Sequence, residues 1–129
     1  MGEMNVLLVD DEREFLDVMS KRLRKRGVSL EVVTSGGEAV RKVAEEPIDV
    51  VVLDMRMPDM DGLTVLRAIK QSRPEIEVIM LTGHANVEAA VEGMQLGAFD
   101  YLMKPVDLDE LLYRLQDAFK RKQLGTPQA

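Results

Sequence analysis

Short apolar runs alternate with amphipathic stretches along the chain. Val6-Leu7-Leu8-Val9 is uninterrupted and stops at Asp10-Asp11. Such a run predicts a strand covered on both faces, since a strand with one wet face would alternate. From Glu12 to Arg26, Phe15, Leu16, Met19 and Leu23 recur at helical spacing, and Gly27 is placed to end that helix. A second strand is predicted around Leu30–Thr34. Ser35-Gly36-Gly37 then opens a helix through Glu45, with Ala39, Val40, Val43 and Ala44 on one stripe, and Pro47 prevents its continuation. Ile48–Leu53 reads as a third strand, broken only by Asp49 and stopping at Asp54.

After a loop from Met55 to Gly62, a helix is predicted over Leu63–Ser72, bounded by Pro74. Ile76–Leu81 is the fourth strand, ending at Thr82-Gly83. Asn86 is an N-cap candidate for a helix through Leu96, closed by Gly97. Ala98–Met103 supplies the fifth strand, ending at Lys104-Pro105. Asp107 is placed to cap a last helix, where Leu108, Leu111, Leu112, Leu115, Ala118 and Phe119 keep one register. Five strand–helix units with continuous apolar strands imply an α/β domain whose parallel sheet is covered on both faces. There is no internal repeat.

Composition narrows the chemistry. The 129 residues fit one domain, and 46% apolar with 31% charged content supports a core and a wet surface. The net charge of −6 lacks the domain-wide basic footprint of a nucleic-acid binder. The absence of cysteine excludes disulfides, thiol catalysis and thiolate metal sites, and a single histidine disfavours zinc. No basic segment precedes an apolar stretch at the N-terminus, and no apolar run approaches the roughly 20 residues of a membrane span. A cytoplasmic address with no membrane contact is expected.

The polar residues fall at strand ends: Asp10-Asp11, Asp54, Thr82 and Lys104. In an open parallel sheet, ligands bind outside the carboxyl ends of the strands. Singly, each residue has an ordinary use as a turn residue, helix cap or surface lysine. Four strands out of five delivering such groups to one edge is a pattern with chemical content. Three neighbouring carboxylates need a cation to stay ionised together, and Mg²⁺ suits oxygen ligands while leaving room for phosphate oxygens. Lys104 and the Thr82 hydroxyl are suitable donors to a phosphoryl group, and a carboxylate beside the metal can attack phosphorus.

The blocks Val6–Glu12, Val52–Gly62, Leu81-Thr82-Gly83 and Gly97–Pro105 resemble the signature blocks of bacterial response-regulator receiver domains. The resemblance covers about residues 4–122 and leaves 123–129 as a tail or the start of a linker. It implies a flavodoxin-like doubly wound (βα)5 fold with strand order 2-1-3-4-5. It also implies that Asp54 is the phosphoacceptor, that Asp11 binds Mg²⁺ directly, that Asp10 binds it mostly through water, and that the Arg56 backbone carbonyl completes the metal site. Thr82 matches the switch hydroxyl, Tyr101 the aromatic that turns inward with it, and Lys104 the lysine that contacts the phosphate. Pro105 matches a proline preceded by a cis peptide bond. Arg56 and His84 match positions that tune phosphate lifetime.

The implied partner is a sensor histidine kinase that donates the phosphoryl group, with an effector or fused output domain downstream. The expected output surface is the fourth helix, fifth strand and fifth helix, in a monomer or a phosphorylation-dependent dimer. Two other classes fit the residues less well. An aspartyl-phosphate phosphatase of the haloacid-dehalogenase type needs a second aspartate two residues after the nucleophile, where this chain has Arg56. A flavodoxin-like cofactor binder would need a phosphate-binding fingerprint that is absent. Leu81–Ala85 and the helix after it resemble receivers of enhancer-binding transcriptional activators, but no helix-turn-helix fits after Phe119, so direct DNA binding by this chain is not expected.

Overall fold

The computed structural model describes residues 3–83 and 87–125. The elements run β1 (Asn5–Val9), α1 (Arg13–Lys25), β2 (Ser29–Val33), α2 (Gly36–Glu45), β3 (Val50–Asp54), α3 (Gly62–Ser72), β4 (Glu77–Thr82), α4 (Val87–Gln95), β5 (Asp100–Met103) and α5 (Leu108–Leu124). The strands form one parallel sheet in the order β2-β1-β3-β4-β5. The chain starts in the middle of the sheet, builds one edge and then crosses back, so the order reverses beside β1 and β3.

The unbroken apolar runs follow from burial on both sides. Val6 and Leu8 join Leu16, Met19 and Leu23 of α1 and Leu111 and Leu115 of α5 in one core cluster. Leu7 and Val9, on the opposite pleat, join Ala39 and Val43 of α2 and Val65, Leu66 and Ile69 of α3 in the other. β2 lies at an edge, and there Glu31 and Val32 are exposed while Leu30 and Val33 are buried.

Local signals set several element ends. The Ser35 side chain accepts from the Glu38 N–H at the start of α2, and Asp107 accepts from the Glu110 N–H at the start of α5. Gly27 and Gly97 adopt φ values of 87° and 109°, in the left-handed region that ends helices at little cost only for glycine.

Some boundaries differ from the sequence expectation. Ala44 is exposed, a step of helical rotation beyond the buried Ala39–Val43 stripe. The third strand begins at Val50, and the Asp49 side chain just before it accepts from the Asn5 N–H at 2.8 Å and from Lys122 at 2.7 Å. The fifth strand begins at Asp100, since the Ala98 N–H still closes the turn after α4 onto the Gly93 carbonyl at 3.0 Å. The expected cap at Asn86 lies outside the described residues.

Candidate functional site

Each candidate side chain is carried to the carboxyl edge of the sheet by the strand that precedes it. The register places Val9 beside Leu53 and Asp54 beside Leu81, so the ends of β1, β3 and β4 sit side by side. The Lys104 N–H donates to the Thr82 carbonyl at 2.8 Å, which extends the alignment to β5. A cleft of about 270 Å³ opens there, lined by Asp11, Glu12, Asp54, Arg56, Gly83 and Lys104. A larger cleft of about 420 Å³ lies at the other end of the sheet, among Lys70, Glu77, Arg121 and Lys122. There Lys70 and Arg121 each lie 3.7 Å from Glu77, and among the described residues the three-acid cluster occurs at the first cleft and not at this one.

Asp10, Asp11 and Asp54 each direct a carboxylate oxygen into a common space, all within 4.8 Å of one another. Asp10 is fully buried and Asp54 nearly so, whereas Asp11 is exposed. The pair Asp10-Asp11 does not serve as a cap for α1, whose N-cap residue is Glu12 and whose first turn receives no side-chain bond from it. Asp10 instead accepts from the Glu12 N–H at 2.9 Å and from the Lys104 ammonium at 2.6 Å. Lys104 also lies 3.2 Å from Glu12, 3.8 Å from Asp54 and 4.5 Å from the centre of the Phe15 ring. The Arg56 N–H donates to Asp54 at 3.3 Å, and the Arg56 side chain is exposed.

The electrostatics follow from this crowding. Burial, followed by repulsion from Asp10, pushes the Asp54 carboxyl up to about 6, against the opposing pull of Lys104, the Arg56 N–H bond and a further small push from Asp11. Burial alone would lower the Lys104 ammonium, but the Asp10 hydrogen bond and the charges of Asp54, Asp10 and Glu12 outweigh it, and the net shift is upward. A group of acids that holds a proton or a lysine so firmly is short of positive charge.

The residues present fit Mg²⁺. An octahedral ion with bonds of roughly 2.1 Å places its ligand oxygens at most about 4.2 Å apart. The 4.8 Å spread of the three carboxylate oxygens needs only small side-chain rotations to match. The donors are all oxygens, as a hard cation requires, with neither sulfur nor imidazole among them.

Residues 6–116 match the family described as response regulator receiver domain. The chain belongs to that family. Receiver domains are signalling switches of two-component systems rather than turnover enzymes, they work with histidine kinases, and they generally bind Mg²⁺. Among its relatives, the transcriptional regulatory protein ZraR of Escherichia coli is 38% identical over 115 residues, covering 89% of this chain and 26% of that protein. The DNA-binding transcriptional regulator NtrC of Escherichia coli is 39% identical over 118 residues, covering 92% and 25%. This receiver therefore spans about a quarter of the length of those relatives. A CheY-like receiver structure from Methanospirillum hungatei superposes with a TM-score of 0.92 at 30% identity, covering 97% of this chain and 100% of the other.

Thr82 is buried at the end of β4, and Tyr101 on β5 stands half out of the surface, 43% exposed. The Lys104–Pro105 peptide bond is cis. His84 lies outside the described residues. Two contacts of the receiver site were not anticipated. Glu12 reads in the sequence as a helix start and Phe15 as a core residue, yet both touch Lys104. Their spacing held the clue: one residue and one helical turn beyond the acidic pair, both positions overlook the same edge.

Proposed function

We propose that Asp54 accepts a phosphoryl group from a phosphohistidine of a sensor histidine kinase, in a Mg²⁺-dependent in-line transfer. One observation carries this: the ends of β1, β3 and β5 gather three carboxylates and one lysine around a small open cleft, with Asp54 on its floor. The P–N bond to the kinase histidine breaks as a P–O bond to an Asp54 oxygen forms. Asp11, Asp10, Asp54 and the Arg56 carbonyl would hold the metal, which when bound neutralises the acids and the phosphoryl oxygens. Asp54 must be ionised to attack, and Lys104, already 3.8 Å away, stabilises that form.

The added phosphoryl carries about −1.5 to −2 charges and strong acceptor oxygens. Lys104 and the Thr82 hydroxyl are drawn to it, and the space Thr82 leaves admits the Tyr101 ring. That movement remodels the face of α4, β5 and α5 and shifts a population of two conformers. The face then engages an effector or a fused output domain, or a second copy of the chain. Arg56, at the rim of the cleft, and His84 tune phosphate lifetime by governing access of water to phosphorus. We assign residues 4–122 to the receiver and 123–129 to a tail or linker, with a cytoplasmic location. Similarity to the transcriptional regulators ZraR and NtrC favours transcription control as the output of a longer regulator.

The test is incubation with Mg²⁺ and a small acyl phosphate, or with beryllofluoride, beside the Asp54→Ala variant. Wild type should gain one hydroxylamine-labile phosphate from the acyl phosphate and a metal-dependent spectral change, and the variant neither. A wild type that shows no labelling under these conditions sinks the proposal.

A further inference from the structure

The loop between β3 and α3 leaves Asp54 and contains Arg56, whose carbonyl is assigned to the metal site. Its first peptide is held by the sheet, since the Met55 N–H donates to the Leu81 carbonyl at 3.0 Å. Met55 and Met57 on either side of Arg56 are buried. Methionine packs without fixing direction, because its thioether bends and rotates easily. The Arg56 N–H bond to Asp54 at 3.3 Å orients the peptide before Arg56, and the two buried thioethers hold down the peptide after it, which carries the carbonyl, without fixing its direction.

Asp59 supplies a directional tie. Its carboxylate accepts from the Gly36 N–H at 3.2 and 3.1 Å and from the Gly37 N–H at 3.3 Å. These are the first two amides of α2, and Ser35 completes the same turn by accepting from the Glu38 N–H. The contact spans 23 residues of sequence and joins two elements that no strand pairing links. Two oxygens on two successive amides fix an angle as well as a distance. The approach is close: a Cβ on Gly36 would lie 2.7 Å from Val65 and 3.0 Å from Met60, so the loop is seated against α2 here.

We propose that Asp59 is a positioning residue for metal binding, acting through the loop to hold the Arg56 carbonyl in its ligating direction. The inference rests on the metal-binding role proposed above. It assigns Asp59 no contact with metal or phosphate, and it makes the N-terminus of α2 part of the support of the site. Partners that surround a metal's direct ligands typically change affinity by about 10–100-fold. Asp59 is exposed and its tie is open to solvent, so the lower end, about tenfold, is expected here.

The experiment measures the Mg²⁺ dissociation constant by amide NMR titration for wild type, Asp59→Ala and Asp59→Asn, together with urea stability and the phosphorylation rate at saturating Mg²⁺. Asp59→Ala should weaken Mg²⁺ binding about tenfold, expose the Gly36 and Gly37 amides to faster exchange, and keep its rate once Mg²⁺ saturates. Asp59→Asn keeps one of the two acceptor oxygens without the charge and should recover part of the affinity. An alanine variant with wild-type Mg²⁺ affinity overturns the inference. So does an asparagine variant as weak as alanine, because the effect would then be remote charge attraction rather than positioning. Should wild type itself bind no Mg²⁺, it is the metal site that fails, and the two failures are told apart by that control.

Discussion

The Lys104 ammonium lies 2.6 Å from the carboxylate of Asp10, a side chain with no exposed surface. That contact places a cation of the protein's own at the mouth of an acidic cluster. Asp10 and Asp54 are both buried, and their mutual repulsion is relieved by this one ammonium from above and by backbone N–H groups from below. The lysine and the proposed divalent ion would then be alternative neutralisers of the same charges.

Replacing the lysine tests that equivalence. Lys104→Met keeps the apolar stem and removes the charge, leaving two buried carboxylates uncompensated. Loss of one partner from a buried pair costs roughly 3–5 kcal/mol, and partial opening of the cleft to water reduces this to about 2 kcal/mol here. Urea denaturation in EDTA should show that loss. With Mg²⁺ the variant should regain more stability than wild type gains, since the ion fills a larger charge deficit. Equal gains in the two proteins would mean that Lys104 and the metal do not share the cluster.

The Asp54 carboxyl gives a pH signature. Its value is raised from 3.8 to about 6 on folding. The folded protein therefore holds a proton that the unfolded chain has released between those values, and stability contributed by this group falls as pH rises through the window. Removing the titrating group should abolish this loss. In metal-free buffer, Asp54→Asn should match wild type near pH 4 and exceed it above pH 6 by roughly 1–2 kcal/mol, after discounting for solvent screening. Paired urea titrations across pH 4–8 measure the difference. A gap that does not grow with pH contradicts the burial argument.

Much of this was open to view in the sequence, and the remainder divides by cause. Val6–Val9 and Val50–Leu53 announced themselves because burial on two faces permits no polar alternation. The polar residues that end them marked the site for the same reason. What stayed hidden were contacts that depend on where separate elements meet. Asp49 reads as an interruption of a strand, yet it is a buried anchor for Asn5 and Lys122 at the far end of the sheet. Asp59 reads as a loop acid, yet it caps a helix that precedes it by more than twenty residues. Phe15 obeys the helical stripe and still turns its ring to Lys104. Periodicity reports which face a residue takes, and long-range polar pairing leaves no period.

Asp49 leads to a prediction that separates stability from signalling. Lys122 near the end of α5 donates to Asp49 at 2.7 Å, and both side chains are mostly buried, with 24% and 12% exposed. Lys122→Met should lower stability by about 1–2 kcal/mol, the range for a buried acceptor that loses one of two donors. The Asn5 N–H still serves Asp49, which keeps the loss below that for a stranded charge. The phosphorylation rate should stay within about twofold of wild type, equivalent to roughly 0.4 kcal/mol, because the pair lies at the sheet end remote from Asp54. Thermal denaturation and a labelling time course measure the two quantities, and a large fall in labelling without loss of fold would contradict the separation.

Gly62 gives a prediction in which two effects oppose each other in sign. It is the first residue of α3, and replacing glycine by alanine in a helix normally stabilises by up to about 1 kcal/mol. Here a Cβ would lie 2.7 Å from the Met55 Cα and 2.9 Å from the Met55 carbonyl oxygen. Backbone held by the Met55-to-Leu81 ladder bond cannot swing aside as a side-chain tip would. The steric cost, roughly 1–3 kcal/mol for overpacking, should win over the propensity gain. Gly62→Ala is expected to be destabilised by about 1–2 kcal/mol, and to bind Mg²⁺ more weakly because Met55 directly precedes Arg56. Gly37→Ala is the matched control, since its Cβ would meet nothing within 4 Å. It should be neutral or slightly stabilising in the same urea titration, and a Gly62→Ala result on the stabilising side would show that the loop yields where the packing says it is fixed.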